Sequence, residues 1–266
     1  MPDFQRLRDV RCFLLDMDGT FFLSDKLLPG AAEFLEFCDQ KGIGYLFLTN
    51  NSSKDRSQYS QKLQKLGVTV EEDHIFTSGE ATAIYLKKNF PGARLSVTGT
   101  PALEKELQNH GFSLMKTGAD VTVLGFDTGL TYEKLVDLCN EVRRGIPYVA
   151  THPDFNCPVE NGFIPDIGAF MALVEASTGR RPDVVIGKPN QPIVDALAQK
   201  TGLPLSQLVM VGDRLYTDIA LGRTGITTVL VLSGESTLQE LGESPFRPTY
   251  VMENLAELLH TMQTLG

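Results

Sequence analysis

Val10-Arg11-Cys12-Phe13-Leu14-Leu15-Asp16-Met17-Asp18-Gly19-Thr20 is the stretch that decides how the rest of this chain reads. A short apolar run of strand length breaks directly into two aspartates with one residue between them. Apolar runs of this kind, without alternation, belong to parallel sheets covered by helices on both faces. In such open sheets ligands bind beyond the carboxyl ends of the strands, so Asp16 and Asp18 fall where a site belongs. Carboxylates at i and i+2 repel each other, and a fold accepts them most readily with a cation between them. Gly19 lets the chain turn sharply away from the strand. A capping turn with two solvated aspartates is the plainer alternative, since so short a motif also arises by chance. An EF-hand is excluded by spacing, with Phe21 where that loop needs Gly and Leu27 where it needs a bidentate Glu.

Outward from this stretch the pattern repeats. Tyr45–Leu48, Leu208–Val211 and Thr228–Leu232 are further brief apolar runs that lead into Thr, Gly or Ser. Between them, Pro29–Lys41 carries Phe34, Leu35 and Cys38 at helical spacing and stops near Gly42. Asp55–Leu66 aligns Tyr59, Leu63 and Leu66, and Gln191–Lys200 aligns Val194, Leu197 and Ala198. Leu255, Leu258, Leu259 and Met262 give the last helix its apolar face. Alternating strands and helices predict a doubly wound α/β fold. In the middle, Arg94–Val97, Val121–Leu124 and Tyr148–Ala150 read as strands, and Pro101–Asn109, Thr131–Arg144 and Gly168–Ser177 as helices. No linker or shift of composition sets that middle apart.

Three more polar clusters each follow an apolar run. Thr49-Asn50-Asn51-Ser52 offers a hydroxyl, amides and backbone N–H groups suited to phosphate oxygens, or else an N-cap and Asx-turn cluster. Gly187-Lys188-Pro189 follows Val184-Val185-Ile186; it is no Walker A loop, because Pro182 and Pro189 stand where Gly and Ser/Thr are required. Lys188 would supply a fixed positive charge, unless it is an ordinary surface lysine. Gly212-Asp213-Arg214-Leu215-Tyr216-Thr217-Asp218 brings two more carboxylates, with Asp218 placed to orient what Asp213 binds or simply to favour a helix N-terminus. Each plain alternative stands for its own segment. Together, the four clusters supply aspartates, a hydroxyl, amides and one lysine, the inventory of a hard, oxygen-ligated cation beside a phosphate.

Composition narrows the classes. The 266 residues carry 24 basic and 33 acidic side chains, a formal charge of −9, without a Lys/Arg cluster, so a nucleic-acid-binding surface is not expected. No stretch approaches the roughly 18 apolar residues of a membrane span. The N-terminal residues show neither a signal h-region nor a cleavage site, and four scattered cysteines form no CxxC, which together point to reduced thiols and the cytoplasm. Cysteine-based phosphatases are excluded, since no Cys has Arg at Cys-x₅-Arg spacing. Phospho-receiver domains share the fold and an acidic pocket, but they are about half this length, and their phosphorylated Asp lies away from the acidic pair.

Asp16–Thr20, Thr49-Asn50, Lys188 and Gly212-Asp213…Asp218 resemble, in order, the four motifs of the haloacid dehalogenase (HAD) superfamily, and the resemblance covers nearly the whole chain. DMDGT, LTNNS, IGKP and GDRLYTDI resemble in particular the NagD/p-nitrophenylphosphatase branch, with its type IIA cap between the second and third motifs. The resemblance implies a Rossmann-like core formed by residues 1–79 and 183–266 and a smaller α/β cap at 80–182. It also implies a Mg²⁺-dependent phosphatase that hydrolyses small phosphate monoesters of sugar phosphate, glycerol phosphate or nucleotide type through an aspartyl-phosphate. In that scheme Asp16 is the nucleophile and Asp18 the general acid and base. Mg²⁺ is held by Asp16, the Asp18 carbonyl and Asp213, with Asp218 behind them. Lys188, Thr49, Asn50 and Gly19 bind phosphate. Asp18 favours phosphatase over dehalogenase, because a departing halide needs no proton. The sugar mutases of the superfamily resemble chains with a cap after the first motif, which is absent here. The remaining alternative is a catalytically silent protein that binds a phosphorylated ligand. Asp127, His152 and Asp154 are candidates for lining the opening, with packing and turns the plainer reading. His152 stands where the family more often has Asn. A homodimer through the cap fits the branch.

Overall fold

The structure, a computed structural model, describes residues 4–159 and 162–265. The chain divides into two compact units: Met1–Thr49 with Tyr59–Phe76 and Leu197–Gly266, and Asn50–Gln58 with Thr77–Ala196.

The first unit is built on a six-stranded sheet, ordered Tyr250–Met252, Thr227–Val231, Leu208–Gly212, Cys12–Leu15, Gly44–Thr49, Ile75–Thr77. Numbered along the chain within this sheet, the spatial order is 6-5-4-1-2-3. That is the doubly wound arrangement, and its order reverses between Cys12–Leu15 and Leu208–Gly212. Cys12–Leu15 pairs in parallel with both neighbours, Leu15 standing opposite Val211 on one side and Phe47 on the other. Every residue of Cys12–Leu15, Leu208–Gly212 and Thr227–Val231 is buried, which explains why these runs show no alternation.

Aromatic side chains fill the core. Phe13 meets Phe34 edge-on at 4.9 Å, and Phe21 meets Phe47 at 4.8 Å. Each such pair adds about 0.5–1.5 kcal/mol beyond area burial. Phe34 comes from the helix Ala31–Lys41, which buries Ala31, Phe34, Leu35 and Cys38, one stripe at i, i+3, i+4 and i+7. The hairpin Phe22–Leu23 with Lys26–Leu27 occupies the short stretch after the first aspartates. Burial pushes the Cys12 and Cys38 thiols up to about 12, as small core hydrophobes rather than reactive groups.

The second unit holds a five-stranded parallel sheet, ordered Val184–Val185, Tyr148–Ala150, Val121–Leu124, Arg94–Thr98, Ser113–Leu114. Its helices start on side-chain caps: Thr100 accepts from Leu103 N–H and Thr131 from Lys134 N–H. The antiparallel hairpin Asn156–Val159 with Gly162–Pro165 precedes the helix Ile167–Thr178. Among the described residues no helix is long and apolar enough to cross a membrane.

Candidate active site

In the first unit three motif residues leave adjacent strands on one edge. Asp16 follows Leu15 and donates its N–H to Val211 O at 2.9 Å; Asp213 follows Gly212; Thr49 is the last residue of Gly44–Thr49. The register of Leu15 with Val211 and Phe47 therefore brings all three to the carboxyl ends of the central strands, with Asp16 and Asp213 flanking the point where strand order reverses.

The turn after Asp16 is tight. Met17 O accepts from Phe21 N–H at 2.9 Å and Phe22 N–H at 3.1 Å, while Gly19 N–H donates back to Phe22 O at 2.8 Å. Gly19 has φ +85, and a Cβ on it would lie 2.3 Å from Asp213 Oδ2, so neither the backbone nor the space admits another residue.

Asp213 is 2% exposed and held on several sides. Glu235 N–H donates to its Oδ2 at 2.7 Å, Thr20 Oγ1 lies 3.5 Å from its Oδ1, and Ser236 N–H donates to its carbonyl at 3.2 Å. Asp218 is fully buried, and its Oδ2 accepts from Arg214 N–H at 3.1 Å. It precedes the short 3₁₀ turn Ile219–Thr224 without capping it, so its carboxylate serves the Asp213 loop rather than a helix end.

Ligand oxygens of Asp16, Asp213 and Asp218 lie within 4.8 Å of one another. Burial, then Asp16, then Asp218 push the Asp213 carboxyl up to about 8, against the opposing Glu235 N–H and Arg214. Three crowded carboxylates that cannot all ionise at low cost, with only oxygen donors, fit a hard divalent cation. Burial opposes the charge on Arg214, but Asp16, Tyr216, Glu235 and Asp213 outweigh it and hold the guanidinium charged. Its Nε stands 2.9 Å from Glu235 Oε2, and Tyr216 O–H donates to Glu235 Oε1 at 3.1 Å.

Ser233-Gly234-Glu235-Ser236 lies outside the four polar clusters of the sequence. It contributes the Glu235 N–H to Asp213, the Ser233 hydroxyl to Gly19 O at 2.9 Å, and the Ser236 hydroxyl as acceptor for Leu215 N–H. A Cβ at Gly234 would fall 2.0 Å from Asp213 Oδ2. The available signal was its position, directly after the apolar run that ends at Leu232.

Asn50 and Lys188 belong to the second unit. Lys188 is 2% exposed, which rules out a surface lysine. Asn50 Oδ1 accepts from Lys188 N–H at 2.7 Å, and Asn50 Nδ2 donates to Lys188 O at 3.0 Å and to Asp154 Oδ1 at 3.2 Å. The Asn50 amide, expected to face phosphate, is committed to a clamp on the Lys188 backbone. Asn51 forms the Asx turn of the plainer reading, accepting from Ser53 N–H at 2.8 Å.

The other candidates also have structural partners. Asp127 is buried, paired with Lys134 Nζ at 2.6 Å and accepting from Gly129 N–H. His152 is fully buried; its Nε2 lies 3.0 Å from Asp166 Oδ1 and its Nδ1 lies 2.9 Å from Thr151 Oγ1. Thr151 Oγ1 in turn meets Ser52 Oγ at 2.9 Å, and Phe126 N–H donates to Ser52 Oγ. This chain of hydrogen bonds supplies partners for the buried side chains of Ser52, Thr151, His152 and Asp166.

Comparison with known proteins agrees with the motifs. A family model of haloacid dehalogenase-like hydrolases matches residues 13–113, and a second, HAD-hydrolase-like, matches residues 185–258. The acid sugar phosphatase of Staphylococcus aureus is 34% identical over 259 residues, 97% of this chain and 100% of that protein. Among solved structures, the 4-nitrophenylphosphatase of Thermotoga maritima is 47% identical with a TM-score of 0.94, covering 97% of this chain and 99% of that one. NagD from Escherichia coli is 33% identical with a TM-score of 0.87, covering 93% and 98%.

Proposed function

The chain belongs to the haloacid dehalogenase-like hydrolases and is a phosphatase of NagD-like type, and from that premise we propose that it hydrolyses small phosphate monoesters, sugar phosphates foremost, through an aspartyl-phosphate on Asp16. The observation that carries this reading is the meeting of Asp16, Asp213 and Asp218 at the reversal of strand order. The sugar phosphate class is suggested by the name of the Staphylococcus aureus relative.

In the first step an Asp16 carboxylate oxygen attacks phosphorus, and the bond to the ester oxygen breaks with its electron pair on that oxygen. Asp18 gives that oxygen a proton. In the second step Asp18, now ionised, takes a proton from water as the water oxygen attacks phosphorus and releases Asp16. The Asp16 and Asp213 carboxylates and the Asp18 carbonyl would hold Mg²⁺, which would supply charge neutralisation for the acidic cluster and the phosphoryl oxygens. Asp218 and the Glu235 N–H keep Asp213 in place. Lys188 is proposed, from its motif position and its burial, to supply positive charge to the transferring group. Thr49 and the Gly19 turn are proposed to donate to its oxygens. We place the reaction in the cytoplasm, where four cysteines without a disulfide are at home.

Phosphate release from a panel of small esters and one phosphopeptide, with Mg²⁺ present, tests the substrate class. Turnover of sugar and glycerol phosphates at least tenfold above the peptide is the expected result. Equal or greater turnover of the peptide would remove the small-ester reading.

A further inference from the structure

The Asp18 carboxylate has a cationic neighbour that the motifs do not announce. Lys62 lies on the helix Arg56–Lys65, anchored in the core by Tyr59 and Leu63. Its ammonium stands 3.6 Å from Asp18 Oδ1, within ion-pair range though beyond a hydrogen bond. The same ammonium lies 3.8 Å from the centre of the Phe22 ring, a cation–π placement. Phe22 is fully buried, and its carbonyl closes the turn by accepting from Gly19 N–H, the residue after Asp18. One lysine therefore touches both ends of the turn that carries Asp18. The Asp18 side chain is 54% exposed, so packing alone does not select its orientation. A cation seated on a fixed ring adds a restraint that packing lacks.

We propose that Lys62 is a positioning residue for phosphoryl transfer, holding Asp18 toward the leaving oxygen and so enabling the expulsion of poor leaving groups. The proposal rests on Asp18 acting as the acid. An alkoxide cannot depart unaided: as Asp16 bonds to phosphorus and the ester P–O bond breaks, the proton passes from the Asp18 carboxyl to the leaving oxygen. A nitrophenolate departs as the anion and needs no such proton. A residue that only supports the fold, or that only binds phosphate, would affect both kinds of ester alike.

The test compares kcat/KM for glycerol phosphate and for 4-nitrophenyl phosphate, a ratio that covers the steps through departure of the leaving group. Lys62→Met keeps the stem against Phe22 and removes the charge; Lys62→Arg restores the charge; Asp18→Asn is measured alongside. Lys62→Met is expected to lower the glycerol phosphate value about tenfold, part of the 10²–10⁴ that a positioned acid contributes, with the nitrophenyl value changed less than about twofold. Lys62→Arg is expected to recover most of the loss. Equal loss on both esters, or loss on neither, would overturn the proposal while Asp18→Asn still separates them. If Asp18→Asn itself falls equally on both esters, the acid reading fails and the role of Lys62 fails with it. Thermal melts of each variant keep misfolding apart from these outcomes.

Discussion

Asp16→Asn is expected to lower kcat by at least about 10⁴-fold on every ester, a loss on the scale seen when a covalent nucleophile is removed. The amide matches the carboxylate in volume but is too weak a nucleophile for the first displacement. Stability should change little. Neutralising Asp16 relieves its repulsion of Asp213 but also removes its attraction for the buried Arg214 guanidinium, two opposing effects in the metal-free protein. The variant should therefore melt within a few degrees of wild type in EDTA at pH 8, which separates lost chemistry from lost fold. Initial-rate phosphate assays, thermal melts and intact-mass detection of an acid-quenched covalent phosphate in wild type form the check. Retention of more than about a hundredth of the wild-type rate would sink Asp16 as the nucleophile.

The second large effect is on stability against pH. An unfolded chain ionises Asp213 near its ordinary value of 3.8, whereas the metal-free fold keeps the proton until about pH 8. Between those values the native state binds more protons than the unfolded state, so stability falls as pH rises, by up to about 1.4 kcal/mol per pH unit. Below about pH 4 both states are protonated and no penalty exists; above about pH 8 the penalty is complete. A divalent cation displaces the proton and relieves that penalty. Mg²⁺ should raise the Tm more at pH 8 than at pH 5, and its binding near pH 6.5 should release about one proton. Melts with Mg²⁺ and with EDTA at the two pH values, and calorimetry in buffers of different ionisation enthalpy, decide it. A Mg²⁺ effect equal at both pH values would count against the shared carboxylate site, and Asp213→Asn should abolish the difference.

Much of this architecture was legible because each central strand is wholly buried and ends at a polar break. Val121–Leu124, Tyr148–Ala150 and Pro101–Asn109 are where the pattern put them, and the others shift by a residue or two. The helix Ser78–Asn89 was not legible: apart from Leu86 it buries Ser78, Gly79, Glu80, Ala81, Thr82 and Ala83, small or polar residues without an apolar stripe. The strand Tyr250–Met252 is only three residues long. The clustered aspartates announced themselves through spacing, and Lys188, in the second unit, through its place after an apolar run. Lys62 gave no signal, since a lysine on a polar helix face is the commonest of features, and its neighbours are fixed only by the fold. The Asn50 amide reads as a phosphate donor because its polarity is visible in the sequence, whereas its partners, Lys188 and Asp154, lie more than a hundred positions away along the chain.

The segment at 233–236 carries a consequence for anyone who reshapes this enzyme. Its decisive bond to Asp213 comes from a main-chain N–H, and that donor survives any exchange of the Glu235 side chain except to proline. Gly234 is the reverse case, since the Asp213 carboxylate occupies the volume a side chain would need. Libraries that randomise this loop should therefore return broad diversity at 235 and near monotony at 234. The heritable instruction for placing the Asp213 carboxylate is written partly in a letter that encodes empty space.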